Sequence, residues 1–237
     1  MLTGPQNLAA NIEAVRRRIA AAALAAGRRP DSVTLVGVTK GHPVEVAVAA
    51  RAAGLTDLGE NYLQEALAKI AAVPRAGLRW HFIGQLQTNK TRAVAEHFDW
   101  VHTVDRLKLA ERLSAQRPFH GPPLAVCLQV KLADEAAKGG VAPAELPALA
   151  RAVAALPRLA LRGLMCVPPE SDDPATQRDF FARLRVLAEE LGRDGLALDT
   201  LSMGMSADLE AAILEGATHV RIGTALFGPR SAHAAAG

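Results

Sequence analysis

The sequence predicts a (β/α)8 barrel with one additional helix at its N-terminal end. Eight short apolar runs alternate with helical stretches over about 200 residues, which favours a closed parallel barrel over an open sheet. No stretch rich in Pro, Gly or Ser interrupts this alternation, so we expect a single domain over residues 1–237. A doubly wound open sheet is the alternative if one strand is miscounted.

The predicted elements follow one another closely along the chain. Apolar residues recur at helical spacing from Ile12 to Ala23 and predict a first helix over residues 5–27, which Gly27 ends. Apolar runs predict strands at residues 33–38, 56–58, 81–84, 100–103, 124–130, 161–166, 200–203 and 219–223. Further helices are predicted at residues 43–53, 62–72, 90–97, 105–116, 144–156, 175–192 and 207–215.

Composition and charge exclude several classes of function. Half of the residues are hydrophobic and 22% are charged, as in an ordinary soluble protein. The net charge is +3, and the two Trp, one Tyr and six Phe are not interleaved with the dispersed basic residues, so we expect no nucleic-acid binding. No apolar run approaches the ~20 residues of a membrane span, so we expect no membrane insertion.

The N-terminal residues and the cysteines predict a location in the cytoplasm. Residues 1–5 lack the basic and apolar regions of a secretory signal. Cys127 and Cys166 each lie in an apolar run, which predicts buried free thiols and not a disulfide.

Polar residues after the last two strands predict a phosphate site, because the loops after strands seven and eight of such barrels often bind phosphate. The seventh strand leads to Ser206, which we expect to cap a helix whose free N–H groups face an anion. The eighth leads to Gly223 and Thr224, where glycine permits close approach of the backbone and threonine adds a hydroxyl. Taken singly, Ser206 as a simple cap and Gly223 as a simple turn are the alternatives.

Lys40 is the candidate reactive amine. It directly follows the first strand, with Val36 and Val38 on its own face. Partial burial favours the neutral amine, which is the form that Schiff-base chemistry requires. A lysine that extends to solvent at the rim is the alternative. Lys69 and Lys108 lie in predicted helices, and we expect both to be solvated.

Arg221 lies inside the last predicted strand, where a charged side chain is rarely buried without a partner. It either forms an ion pair with Asp199 or Glu60, or faces a cofactor. His81 and His102 lie in strands, and we expect hydrogen-bonded histidines there. Irregular histidine spacing without an HExxH or CxxC motif predicts no metal site.

Six segments together give the chain a resemblance to a known family. They are VTK at 38–40, GENY at 59–62, WHFIGQLQTNK at 80–90, LRGLM at 161–165, LSMGMS at 201–206 and RIGTALFG at 221–228. In this order they resemble the pyridoxal phosphate homeostasis protein family, whose members are single barrels similar to the N-terminal domain of alanine racemase. The resemblance covers nearly the whole chain.

The resemblance implies that the cofactor is pyridoxal 5′-phosphate (PLP), which Lys40 holds as an internal aldimine. It also implies that Ser206, Gly223 and Thr224 bind the phosphate group. Two further positions are compared with lysines of the family. Members of the family often carry a lysine where this chain has His42. Lys138 matches another family lysine and is a candidate second contact, with a solvated loop lysine as the alternative.

The resemblance further implies that Arg221 faces the pyridine nitrogen, as in alanine racemases, and that Asn61 lies near the ring. An arginine remains protonated and therefore keeps the ring nitrogen unprotonated. The ring is then a poorer electron sink. This arrangement fits a carrier or a restricted racemase better than a transaminase.

The function implied by the resemblance is intracellular PLP homeostasis. The protein would hold PLP and buffer it, or supply it to apo PLP-dependent enzymes, without catalytic residues or turnover. A PLP-dependent amino-acid racemase is the alternative. Racemisation needs a second acid/base group, which alanine racemases take from a further domain, whereas this chain ends at Gly237 and has one tyrosine, Tyr62. A phosphate-binding barrel without an aldimine, such as a sugar-phosphate enzyme, is a third hypothesis.

For the oligomeric state, we expect a monomer.

Overall fold

The computed structural model describes residues 5–133 and 139–229, and these residues contain the predicted barrel. The strands are β1 (Thr34–Val38), β2 (Asp57–Glu60), β3 (Arg79–Phe82), β4 (Trp100–Val104), β5 (Leu124–Gln129), β6 (Leu159–Met165), β7 (Thr200–Ser202) and β8 (His219–Ile222). All neighbouring strands are parallel, and β1 pairs with β8 to close the barrel. The predicted fold class is therefore confirmed.

Helices connect the strands on the outside of the barrel. Within the described ranges they are α1 (Pro5–Ala25), α2 (Val44–Ala52), α3 (Leu63–Ala72), α4 (Thr91–His97), α5 (Leu107–Gln116), α6 (Leu146–Ala154), α7 (Pro174–Arg193), α8 (Leu209–Leu214) and α9 (Thr224–Phe227). The predicted additional helix is α1, which packs against α8 and α9. None of these helices, in the part of the chain that the structure describes, could cross a membrane.

Alternation along the strands separates two cores, as in other barrels. On β1, Leu35 packs into the large hydrophobic core between strands and helices, whereas Val36 is buried on the opposite, inward face. Inside the barrel, Trp100, Ala125, Cys127 and Met165 form a second apolar cluster.

Both cysteines are free and buried, as predicted. Burial raises the pKa of the Cys127 and Cys166 thiols to about 12. Both thiols therefore remain protonated at neutral pH and are poor nucleophiles.

The third strand begins earlier than the sequence predicts. Arg79 is the first residue of β3 and pairs with Asp57 of β2, and its guanidinium forms an ion pair with Asp57, with Nε and Oδ1 2.7 Å apart. A pattern based on apolar residues misses this start, since the residue that begins the strand is charged. The short helix α9 was not predicted either, and it directly follows β8.

Candidate cofactor site

Closure of the barrel brings Lys40 and the loop after β8 to the same rim. β1 and β8 are neighbours, with Val36 opposite Arg221. A Cβ added to Gly223 would lie 3.4 Å from the carbonyl oxygen of Val38. The backbone after β8 therefore runs against the end of β1. Lys40, two residues further on, is half-buried at this rim.

A buried ion pair supports the segment that carries Lys40. Lys69 Nζ lies 2.7 Å from Glu60 Oε1 and donates a hydrogen bond of 2.7 Å to the carbonyl oxygen of Thr39. The Thr39 hydroxyl also donates to Glu60 Oε1. Lys69 is 1% exposed, so the expectation that it is solvated is wrong. Its partners explain the burial, because a buried ammonium needs an anion and acceptors.

A second contact fixes the other side of Lys40. The Gly41 amide donates to Glu65 Oε2 at 2.9 Å, and the Gly41 φ of +70° is the left-handed region that glycine adopts easily. Lys40 therefore lies between two residues whose backbone groups are held by side chains of α3.

Burial raises the pKa of the Glu60 carboxyl, and the Lys69 ammonium opposes this rise. Glu60 Oε1 accepts from both Lys69 and Thr39, whereas Oε2 is buried and has no hydrogen-bond partner among the described residues. The stability of this cluster therefore depends on the Lys69 ammonium beside it.

Ser206 joins the loops after β7 and β8, and the prediction that it caps the helix after β7 is wrong. α8 begins at Leu209 with Asp208 at the N-cap position, and the Asp208 carboxylate accepts a hydrogen bond from the Met205 amide at 2.5 Å. Ser206 Oγ instead accepts from the amide of Ala225 at 3.3 Å. The serine thus lies beside the start of α9 and not at the start of α8.

These loops contain Thr224, which was predicted for an anion site, and Gly204, which was not. Thr224 is exposed at the first position of α9, where amide groups lack acceptors within the helix. Gly204 has a φ of +93°, and an added Cβ would lie 2.6 Å from the Cβ of Ala212. Glycine is therefore required at 204 for the loop to approach α8 closely.

Arg221 is 5% exposed and points into the upper part of the barrel interior. One terminal nitrogen donates to Ser202 Oγ at 2.8 Å, and the other donates to the carbonyl oxygen of Cys166 at 2.9 Å. A guanidinium has five N–H donors, so these contacts orient it and leave donors for a ligand.

The alternative role for Arg221, as an ion-pair partner of Asp199 or Glu60, is wrong. Asp199 pairs with Arg162, with a nitrogen and an oxygen 2.6 Å apart, and Glu60 pairs with Lys69. Burial lowers the pKa of Arg221 from its ordinary value, but a guanidinium retains its proton in proteins.

Asn61 follows β2 and carries a buried amide oxygen without a hydrogen-bond partner among the described residues. Such an atom is costly unless a ligand or water donates to it. Its backbone is tightly held, since a Cβ added to Gly84 would lie 2.0 Å from the Asn61 carbonyl oxygen. The rim thus combines a primary amine, two loops predicted to bind an anion, a buried guanidinium and an acceptor without a partner among the described residues, and these groups fit PLP. Lys138 lies outside the described residues.

Lys69 is the buried residue near Lys40 that the sequence analysis placed in solvent, although the sequence contains a signal for its burial. The buried face of α3 consists of Leu63, Ala66 and Lys69 at intervals of three residues. A lysine on the apolar face of a helix indicates a buried charge that needs a partner.

Comparison with known proteins agrees with the fold and identifies the family. The model of the alanine racemase N-terminal domain matches residues 5–231, which defines the class of barrel. The pyridoxal phosphate homeostasis protein of Pseudomonas aeruginosa is 60% identical over 223 residues, covering 94% of this chain and 96% of that protein. The homologue of the same name from Escherichia coli is 48% identical over 227 residues, covering 94% and 97%. The chain therefore belongs to the pyridoxal phosphate homeostasis protein family, as the resemblance predicted.

Solved structures give the same result. PipY of Synechococcus elongatus, determined with PLP bound, has a TM-score of 0.82 and 40% identity, covering 93% of this chain and 100% of PipY. An alanine racemase of Clostridium difficile has a TM-score of 0.74 at 16% identity, covering 97% of this chain and 58% of the racemase. That second similarity concerns the fold alone.

Proposed function

We propose that this protein binds PLP covalently through Lys40 and holds or supplies it in PLP homeostasis, as a cytoplasmic monomer without catalytic turnover. The observation that carries the proposal is the meeting of Lys40 with the loops after β7 and β8 at one rim. The PLP-bound structure of PipY and the names of the relatives support it. Apo PLP-dependent enzymes are the proposed recipients.

When bound, the cofactor supplies an aldehyde that reacts with a primary amine. The chain's own residues bind and orient the group. The proposed site consists of Lys40 for covalent attachment, Ser206, Gly223 and Thr224 for the phosphate, Arg221 for the pyridine nitrogen and Asn61 near the ring. A guanidinium is always protonated and only donates, so the ring nitrogen facing Arg221 would accept through its lone pair and remain unprotonated.

One requirement of the chemistry favours homeostasis over racemisation. A racemase needs a second acid/base group opposite the lysine. Tyr62, the one tyrosine of the chain, is 56% exposed at the start of α3, so we assign it no such role.

Absorption spectroscopy with Lys40→Ala tests the covalent attachment. We expect PLP to give the wild type a visible band that survives gel filtration, and Lys40→Ala to lose it. Lys108→Ala, which alters an exposed lysine of α5, is the matched control and should keep the band. Reductive trapping followed by peptide mass spectrometry should find the label on Lys40. A colourless wild type in the presence of PLP, or a band retained by Lys40→Ala, would refute the proposal.

Turnover is tested on the same preparation. L- and D-alanine should be interconverted far more slowly than roughly 1 s⁻¹, the lower end of ordinary enzyme rates. A rate at or above that value in the wild type, absent in Lys40→Ala, would establish a racemase instead.

Ser206→Ala should weaken PLP binding about tenfold, because it removes a hydroxyl from the proposed phosphate site. Equilibrium titration measures this change. Pyridoxal, which lacks the phosphate, is the control ligand and should bind the variant and the wild type equally. If both ligands lose affinity to the same extent, Ser206 acts on the fold of the loop and not on the phosphate.

A further inference from the structure

A chain of hydrogen bonds crosses the barrel interior from Asp57, at the start of β2, to Arg221 in β8. Asp57 Oδ1 lies 2.9 Å from His81 Nε2, and His81 Nδ1 lies 2.9 Å from His102 Nε2. His102 Nδ1 lies 2.7 Å from Ser202 Oγ, which accepts the hydrogen bond from Arg221. All five residues are buried, with exposures of 5% or less.

Asp57, at one end of this chain of hydrogen bonds, determines which nitrogen of each histidine carries the proton. Burial alone would raise the pKa of Asp57, but hydrogen bonds from His81 and Arg79 hold it well below its usual range. Burial also lowers the pKa of His81 and of His102, so both imidazoles are neutral. An ionised carboxylate only accepts, and His81 must therefore carry its proton on Nε2.

The remaining protons follow from this first assignment. With its proton on Nε2, His81 accepts at Nδ1, so His102 must also carry its proton on Nε2. His102 then accepts at Nδ1 from the Ser202 hydroxyl. This leaves the lone pairs of Ser202 Oγ for Arg221, which only donates. Asp57, which only accepts, and Arg221, which only donates, thus require the same direction of donation along the histidines. Each nitrogen of the two rings is then either a donor or an acceptor.

We propose that Asp57, His81, His102 and Ser202 are positioning residues that set the orientation of Arg221 toward the PLP ring. The inference rests on the proposed function, because it assumes that Arg221 faces the cofactor. With one edge of its guanidinium held by Ser202 and Cys166, Arg221 presents its other donors in a fixed direction. Chains of neighbouring hydrogen bonds also polarise one another, so a change at one end affects the other.

The chain connects the cofactor rim with the opposite end of the barrel. Asp57 and Arg79 line a cavity of about 500 Å³ at the N-terminal ends of the strands, together with Arg16 of α1. A remote change at this end is therefore expected to act on Arg221 without touching the rim.

His219 provides an internal control for simple packing. It is also buried inside the barrel, and its ring centroid lies 5.0 Å from that of Trp100 and 6.1 Å from those of His81 and His102. Its Nδ1 lies 3.1 Å from Thr218 Oγ1, outside the chain of hydrogen bonds. Packing alone would make His81 and His219 equivalent.

The test compares the same substitution at both histidines in the full-length protein. His81→Leu should shift the visible band of bound PLP and weaken PLP binding about tenfold, whereas His219→Leu should leave both unchanged. His81→Gln, which can still donate and accept, should restore the band. Equal spectral effects of the two leucine variants would overturn the proposal, and so would an unaltered band in His81→Leu.

A second measurement uses the wild-type protein without PLP, so it does not depend on whether a variant folds. Nitrogen NMR of ¹⁵N-histidine-labelled wild type should find the proton on Nε2 of both His81 and His102. A proton on Nδ1 of either ring, or a charged ring at neutral pH, would overturn the chain. A wild type that fails to bind PLP would refute the proposed function instead, so the two failures are distinguishable.

Discussion

Replacing Lys69 with methionine is expected to lower the free energy of unfolding by about 3–5 kcal/mol. The Glu60 side chain is fully buried, and Lys69 Nζ is 2.7 Å from its Oε1. Methionine fills a similar volume but leaves this carboxylate without its cation, and the carbonyl of Thr39 loses a donor. Urea unfolding at pH 7.5 measures the loss.

Two further variants separate the buried charge from the loss of side-chain contacts. The double variant Lys69→Met with Glu60→Leu removes both charges and should recover much of the stability, because a buried pair can often be replaced by apolar residues. Lys108→Met alters an exposed lysine and should change stability by less than about 0.5 kcal/mol. If the double variant is as unstable as the Lys69→Met variant, the unpaired carboxylate is not the cause.

The loss in Lys69→Met should also depend on pH. Burial already raises the pKa of Glu60, and removal of the ammonium that opposes this effect raises it further. A carboxyl whose pKa is raised on folding contributes stability below its unfolded pKa, near 4.5. That contribution is lost as the pH rises through the folded pKa. The variant should therefore be closer to the wild type at pH 5 than at pH 8.

The same substitution should impair covalent attachment of PLP. Lys69 holds the carbonyl of Thr39, and Glu65 holds the amide of Gly41, on either side of Lys40. Loss of the Lys69 hydrogen bond lets the Lys40 amine adopt more conformations, which lowers the fraction of molecules whose amine is oriented to react with PLP. The effect on attachment should therefore persist at pH 5, where the stability loss is smaller.

The fold was predictable from sequence because it depends on local patterns. Eight apolar runs with turn residues between them identified all eight strands. Lys40 was singled out because it follows the first strand, and Arg221 because it is a charged residue inside the last one. The chain of hydrogen bonds from Asp57 to Arg221 was not predictable, because its residues are far apart in sequence. His102 and Ser202, for example, are 100 residues apart. Only closure of the barrel brings such residues together.

The role of Ser206 illustrates a different limit. Ser206 and Asp208 are both good N-cap residues, and a sequence pattern does not decide between two candidates that are two positions apart. The chain places Asp208 at the cap. This releases the Ser206 hydroxyl for the amide of Ala225, which belongs to the loop after the last strand. The serine is therefore available at the rim because it is not the cap.

Gly84→Ala is expected to cost about 3 kcal/mol of stability and to weaken PLP binding. The added Cβ would lie 2.0 Å from the carbonyl oxygen of Asn61 and 2.7 Å from its carbonyl carbon. Both are backbone atoms, so no side-chain rotation relieves the contact. Gly84 cannot easily retreat, because its own carbonyl accepts a hydrogen bond of 2.6 Å from Thr103. The loop that carries Asn61 must therefore move.

Gly192→Ala is the matched control, since it adds the same methyl group to a glycine within α7 that has nothing within 4 Å. Alanine is the better helix former by up to about 1 kcal/mol, so this variant should be slightly more stable and bind PLP normally. Thermal unfolding and PLP titration of both variants measure the contrast. If Gly84→Ala matched the wild type in both, the close approach of the loops after β2 and β3 would not be needed to position Asn61. Reduced stability with normal affinity would mean that Asn61 does not contact the cofactor, because its displacement would then have no effect on binding.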